Sequence, residues 1–234
     1  MFPLPGGIGL SHLRAYDWEA ADGVCGGSPH LHLACTEAYV VTGGRGAVQT
    51  LSVDGYRETG LEAGVVAWFA PGTVHRMVQR DDLRITVLMQ NSGLPEAGDA
   101  VFTFPPPLLA DPDAYAEAAA MPTDDDAARR RRDLAIEGYL PIRDALAAGD
   151  PGPLRDFHRV AAALVAPKVG AWIPRWRAGA LAAAELTGEH LKALANGDAS
   201  HLEGAGVRVA VPSTKDGYGM CGRREEYRLE DPPL

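Results

Sequence analysis

The chain has 234 residues, of which 46% are apolar and 23% charged, the balance of a soluble globular protein of one or two domains. Its formal net charge of −9 excludes a dominant basic face, so neither nucleic acid nor an anionic membrane is expected as the main partner. Three cysteines without a C-x-x-C pair exclude a disulfide framework and fit a reducing compartment; with no signal-peptide pattern at the start and no apolar run near ~18 residues, a cytoplasmic location is expected.

Residues 1 to 22 open on Met1-Phe2-Pro3-Leu4-Pro5-Gly6-Gly7, poor for helix and strand alike, with Asp17-Trp18-Glu19 as a weak first strand. From Gly26 the texture is β, short runs rich in Val, Thr, Tyr and Leu between glycine-bearing turns. Strands are expected over His30–Leu33, Glu37–Thr42, Ala47–Ser52, Arg57–Leu61, Val65–Phe69, His75–Gln79 and Leu83–Gln90. Gly43–Gly46 and Arg80–Asp82 read as turns, and Asp54-Gly55 as a hairpin signal. Short, closely spaced strands favour a sandwich or barrel over a parallel sheet.

Phe104-Pro105-Pro106-Pro107 ends that texture, and helical patterns follow. Asp111-Pro112 opens one helix through Ala120. Thr123 begins a second, reaching Ala148 with Pro141 expected to kink or divide it. Asp150-Pro151 opens a third, whose Leu154, Phe157, Val160, Ala161, Leu164 and Val165 recur at helical spacing. Trp172 to Trp176 suggests a short helix, Thr187 to Asn196 a last one, and Val207 to Val211 a late strand; Pro212 to Leu234 reads as irregular. The basic run Arg129–Arg132, flanked by aspartates, reads as a solvated helix face. The division is therefore 1–107, a β-sandwich or β-barrel with an N-terminal segment, and 108–234, a mainly α-helical C-terminal region without an assigned role.

The chemistry concentrates in the first part. His30 and His32 lie two apart on a strand, so both rings leave the same face, about 7 Å apart along it. Glu37 follows after room for a tight turn, and His75 ends Ala70-Pro71-Gly72-Thr73-Val74-His75, from a strand that a barrel can bring to the same interior point. Three neutral imidazoles and one carboxylate suit Mn, Fe, Co, Ni, Cu or Zn and not Ca or Mg, and four protein ligands leave a coordination position open. Residues two along from a ligand also face inward, which nominates Tyr39, Met77 and Gln79. Tyr39 and Gln79 are the candidate catalytic residues, Tyr39 as a hydrogen-bond or proton donor.

These residues resemble the cupin superfamily. The first cupin motif is matched by His30, His32, Glu37 and Gly44, the second by Gly64, Pro71-Gly72 and His75, with nineteen residues between the two glycines. Gln79 stands where the second motif often has Asn, and no glycine before His30 is in register, although Gly23, Gly26 and Gly27 are near. The resemblance covers about residues 20 to 105. It implies a jelly-roll β-barrel with a divalent transition metal inside, and a possible homodimer. It spans dioxygenases, decarboxylases, isomerases, cyclases and binding modules. The expectation is a metalloenzyme of dioxygenase or isomerase/lyase type acting on a small organic substrate. The alternatives are a metal-containing binding or sensor module without catalysis and a storage-like scaffold. Arg223 and Arg224 in the tail are candidates to meet an anionic substrate, and Phe157, Trp172 and Trp176 to line a dimer contact. His158, His190 and His201 read as surface or capping residues.

Overall fold

The computed structural model describes residues 4–227. Among the described residues nine strands form one antiparallel sheet: β1 (Gly9–Ala15), β2 (His30–His32), β3 (Glu37–Ser52), β4 (Gly55–Glu62), β5 (Val66–Phe69), β6 (Val74–Met89), β7 (Ala100–Phe102), β8 (Thr214–Tyr218) and β9 (Gly222–Glu226). Six helices lie between β7 and β8: α1 (Pro106–Leu109), α2 (Pro112–Ala118), α3 (Asp125–Ala147), α4 (Gly152–Val165), α5 (Val169–Trp176) and α6 (Ala182–Ala195).

The sheet is organised on β3 and β6, which pair along their whole length. The two turns expected at Gly43–Gly46 and Arg80–Asp82 are bulges inside these strands, where the pairing register shifts between Val41 and Gly46. The glycines serve close approach rather than chain reversal. Gly44 has φ +69°, and a Cβ there would stand 2.1 Å from the Asp82 carbonyl oxygen. A bulge bends and twists the strand that carries it, and this one lets one long ribbon serve two neighbours. The first half of β3 pairs with β5 and the second half with β4. β6 meets β1 through its second half and β2 through His75. The result is an antiparallel jelly roll whose sheet is not closed; among the described residues β4 and β5 pair only with β3.

The tail departs from expectation. Thr214–Tyr218 and Gly222–Glu226 form a hairpin, and β9 pairs with β1 as part of the barrel wall. Val207 to Val211 forms no strand, and residues 228 to 234 lie outside the described ones. Asp17–Glu19 is likewise no strand beyond a single bridge from Glu19 to Cys25; the first strand is Gly9–Ala15. Among the helices, Asp124 rather than Thr123 caps α3, and α3 runs on through Pro141 without interruption. The last helix starts at Ala182, before Thr187.

The basic run on α3 is only partly solvated. Arg131 and Arg132 are buried. Arg132 donates to the carbonyls of Trp18 and Glu19, both at 2.8 Å. Arg131 donates to the carbonyls of Ala120 and Gly219 and lies over the Phe102 ring. Helical periodicity placed these guanidiniums where the N-terminal segment and the C-terminal hairpin needed donors; backbone carbonyls receive both, and Arg132 also donates to Asp133 Oδ1 at 3.0 Å. Burial lowers Arg131 to about 10.

Two apolar cores share the sheet between them. Tyr39, Val41, Val48, Phe69, Met77, Ile85 and Cys221 fill the barrel interior. On the other side Leu31, Leu51, Val74, Phe102 and Phe104 pack with Tyr139, Leu154, Phe157 and Trp172 of the helices. Phe157 and Trp172 thus belong to this chain's own core, while Trp176 is 41% exposed. All three residues of β2 are buried, because helices cover one face and the barrel the other. Leu31, pointing to the helices between two histidines pointing inward, ties the site strand to the helical half. Leu31→Ala is expected to lower the unfolding free energy by about 3 kcal/mol, measured by urea denaturation; a loss below about 0.5 kcal/mol contradicts this packing.

Candidate metal centre

The four residues singled out by spacing meet at one point. One nitrogen each from His30, His32 and His75 and one oxygen of Glu37 lie within 4.8 Å of one another, and all four residues are buried. His30 and His75 are direct partners across β2 and β6, and Glu37 begins β3 after the four-residue connection from β2. The Pro71-Gly72 turn that delivers His75 is held from both sides. Its Gly72 N–H donates to the His32 carbonyl at 2.8 Å, and its carbonyl accepts from His158 Nε2 on α4 at 2.8 Å. His158, expected at the surface, is therefore a brace between the helices and the site.

Each ring is oriented through its far nitrogen. His30 Nδ1 donates to the Ser28 carbonyl at 2.9 Å, His75 Nδ1 to the Thr73 carbonyl at 3.2 Å, and His32 Nδ1 to Asp99 Oδ2 at 3.1 Å. Carbonyl and carboxylate oxygens only accept, so these contacts place a proton on every Nδ1. In the neutral form of each ring the Nε2 lone pair then faces the cluster. His30 Nε2 and His75 Nε2 are 3.1 Å apart. Glu37 Oε2 is 2.9 Å from His75 Nε2 and 3.4 Å from His32 Nε2. Although that close, it is buried without a well-directed hydrogen-bond donor.

This donor set fits a transition ion. Ligand bonds of roughly 2.1 Å put neighbouring donors roughly 3.0–3.4 Å apart in octahedral or tetrahedral arrangements, close to the three contacts just given, which run from 2.9 to 3.4 Å. Nitrogen donors exclude the hard cations, and the anchored far nitrogens are the usual second layer of such a centre.

Electrostatics inside the cluster follow from burial and from the carboxylates. Burial, with the His75 and His32 charges behind it, holds His30 well below its ordinary 6.5. For His32, burial opposes charge, but hydrogen bonds and charge from Asp99 and Glu37 outweigh it and raise the ring to about 9. Burial alone would raise Glu37; His75 and His32 reverse this and hold it well below the carboxylate range.

Of the other candidates, Tyr39 and Met77 are fully buried in the barrel. The Tyr39 ring lies 6.2 Å from that of His75 and 4.9 Å from that of Phe69. Gln79 is not brought to the cluster. It sits four residues along β6 from His75, about 13 Å by strand rise, opposite Gly46. Arg223 and Arg224 are engaged elsewhere, Arg223 with Asp125 and Arg224 with Glu226.

Three participants carry no sequence signal. Asp99 precedes β7 and reaches His32 across 67 residues. Cys221 comes from the C-terminal hairpin, its Sγ 3.9 Å from Tyr39 Oη. It lies so close to Gly27 that a Cβ there would be 2.4 Å from the Cys221 Cα. Phe69 stacks on His75 with ring centroids 4.8 Å apart and planes 10° apart. Phe69 also lines a cleft of about 580 Å³ bounded by β3, β4 and β5, with Val48, Thr50, Tyr56, Trp68 and Thr73 among its walls. The cleft thus ends one ring away from the histidines.

The two motif halves resembling the cupin pattern therefore meet inside an antiparallel jelly roll. No family model matches the chain, and no curated protein matches it. Solved structures do. TDP-quinovose 3,4-ketoisomerase WlaRB from Campylobacter jejuni matches at 11% identity over 35% of this chain and 60% of its own, with a TM-score of 0.30. A cupin protein from Bacteroides fragilis matches at 23% identity over 35% of this chain and 60% of its own, TM-score 0.25. CapF, a capsular polysaccharide assembling protein from Staphylococcus aureus, matches at 17% identity over 40% of this chain and 26% of its own, TM-score 0.33. In each case the match spans less than two thirds of the other chain.

The shifts make the metal-free protein pH-sensitive in a defined window. His32 titrates at 6.5 unfolded and about 9 folded, so its stabilisation is complete below 6.5 and is lost as pH rises through 9. His30 has the opposite sign and acts only below 6.5. Between those limits chelator-treated protein is expected to lose about 3 kcal/mol, read as a falling Tm. His32→Gln should flatten that slope; a Tm that rises with pH in this window contradicts the assignment.

Proposed function

We propose that this chain is a metal-dependent enzyme acting on a small organic molecule at His30, His32, Glu37 and His75. The observation that carries this reading is the direction of the rings. Three Nδ1 protons are committed to oxygen acceptors, which leaves three Nε2 lone pairs and an undirected Glu37 oxygen converging in a buried space. With the rings neutral the three lone pairs repel one another, and a shared cation makes the arrangement favourable. The set takes Fe, Mn, Ni, Zn or Cu. Such an ion, when bound, supplies Lewis acidity, and O₂ chemistry where it is redox-active.

The protein's own groups do the rest. The cleft beside Phe69 gives a small molecule a path to within one ring of His75, and Phe69 keeps bulk water from the cluster. Tyr39 keeps its proton on Oη. Burial first, then the Cys221 and Glu37 charges, push it well above its ordinary 10, so toward a bound ligand it acts as a hydrogen-bond donor. Dioxygenase and isomerase/lyase chemistry both start from this arrangement.

Metal analysis of protein purified without chelator is the first test, with about one transition ion per chain expected. His75→Ala should retain under a tenth of it, and full retention refutes the site. O₂ uptake by the Fe(II)-loaded protein over small catechols, thiols and 2-oxo acids separates the two chemistries; uptake assigns a dioxygenase, and its absence with every compound assigns the non-oxidative class. Phe69→Ala should speed loss of the ion to a chelator several-fold, because the ring separates cleft from cluster; an unchanged rate places the entry path elsewhere.

A further inference from the structure

We infer that Asp99 is a positioning residue that fixes the tautomer of His32 and so makes its Nε2 available to the ion. The inference rests on the metal reading above for its purpose, but its geometry stands alone. Asp99 is wholly buried. Its two carboxylate oxygens have separate tasks. Oδ1 accepts from the backbone N–H groups of Ala34 at 2.6 Å and Leu33 at 3.1 Å. Oδ2 accepts from His32 Nδ1 at 3.1 Å.

The three rings are not anchored alike. His30 and His75 donate to backbone carbonyls two residues before them, Ser28 and Thr73, so their orientation is written into their own strands. His32 alone depends on a side chain, from a segment 67 positions away. A carbonyl dictates the tautomer whatever the surrounding sequence; at His32 it depends on the identity of one residue. Asp99 holds that position because it leads into β7, whose Ala100 pairs with His32. The turn across Leu33 and Ala34 supplies the two N–H groups that lock the carboxylate's rotation.

That lock separates positioning from mere packing. In Asp99→Asn the side chain keeps its shape. The two backbone donors hold the amide oxygen at the Oδ1 place, so the amide NH₂ faces His32 Nδ1. A nitrogen that must accept there carries no proton; the ring proton moves to Nε2, and Nε2 can no longer ligate. Asp99→Asn should therefore bind zinc 10- to 100-fold more weakly than wild type by calorimetry, with the far-UV circular dichroism of the metal-free protein unchanged. Nitrogen NMR of the His32 ring at alkaline pH, where the rings are neutral, gives a readout independent of metal. Wild type should carry the proton on Nδ1 and Asp99→Asn on Nε2.

The outcomes are distinct. Wild-type protein that binds zinc while Asp99→Asn binds it equally well overturns the inference and leaves the metal reading intact. Wild-type protein that binds no zinc overturns the metal reading, and the NMR of the two proteins still decides whether Asp99 sets the tautomer. If Asp99→Asn does not fold, wild type alone decides: a proton found on Nε2 of His32 overturns the inference.

Discussion

The structure depends on one electrostatic constraint: three imidazole nitrogens and one carboxylate oxygen are turned toward each other in a space closed to water. The Nε2 atoms of His30 and His75 stand 3.1 Å apart, with Glu37 Oε2 2.9 Å from His75 and 3.4 Å from His32. The holding is done from behind, by two backbone carbonyls and one buried carboxylate. Around it the barrel supplies an apolar wall, in which Phe69, Met77, Val87 and Cys221 leave few polar groups to compete. In such surroundings an uncompensated charge costs far more than in water, so Glu37 is held ionised only with positive charge beside it.

The rest of the chain serves that constraint by covering and bracing it. The helices bury the back of β2 through Leu31 and hold the Pro71-Gly72 turn through His158. The C-terminal hairpin adds β9 beside β1 and lays Cys221 against Tyr39. Arg131 and the Arg223–Asp125 pair fasten that hairpin to α3. Segments far apart in sequence thus contribute walls to one small interior, which is why helices and strands share a continuous core.

The parts of the site that were legible are those governed by short-range rules. Period-two alternation put His30 and His32 on one face and Leu31 on the other, and the ligand spacing required nothing more than one turn and one later strand. Asp111-Pro112 marked a helix start because capping and a proline at the first helical position act within four residues. The same local reasoning failed where a glycine had two possible uses. Gly43–Gly46 has the composition of a turn, but the bulge that actually forms depends on Asp81 and Asp82 lying opposite. The arginine run looked solvated because nothing local reveals that carbonyls of Trp18, Glu19 and Gly219 come to meet it.

The sequence by itself picked out the three histidines and Glu37 that come together, the strand texture before Phe104 and the helical texture after it, since each follows from residue type and spacing within a few positions. The tertiary structure alone decided which groups stand behind and beside the ligands: Asp99, His158, Phe69 and Cys221. None of them has a fixed offset from a histidine. Their place comes from strand pairing and from helices packed on the reverse of the sheet; for Asp99, His158 and Cys221 the contacts span 67 to 182 residues and leave no local trace.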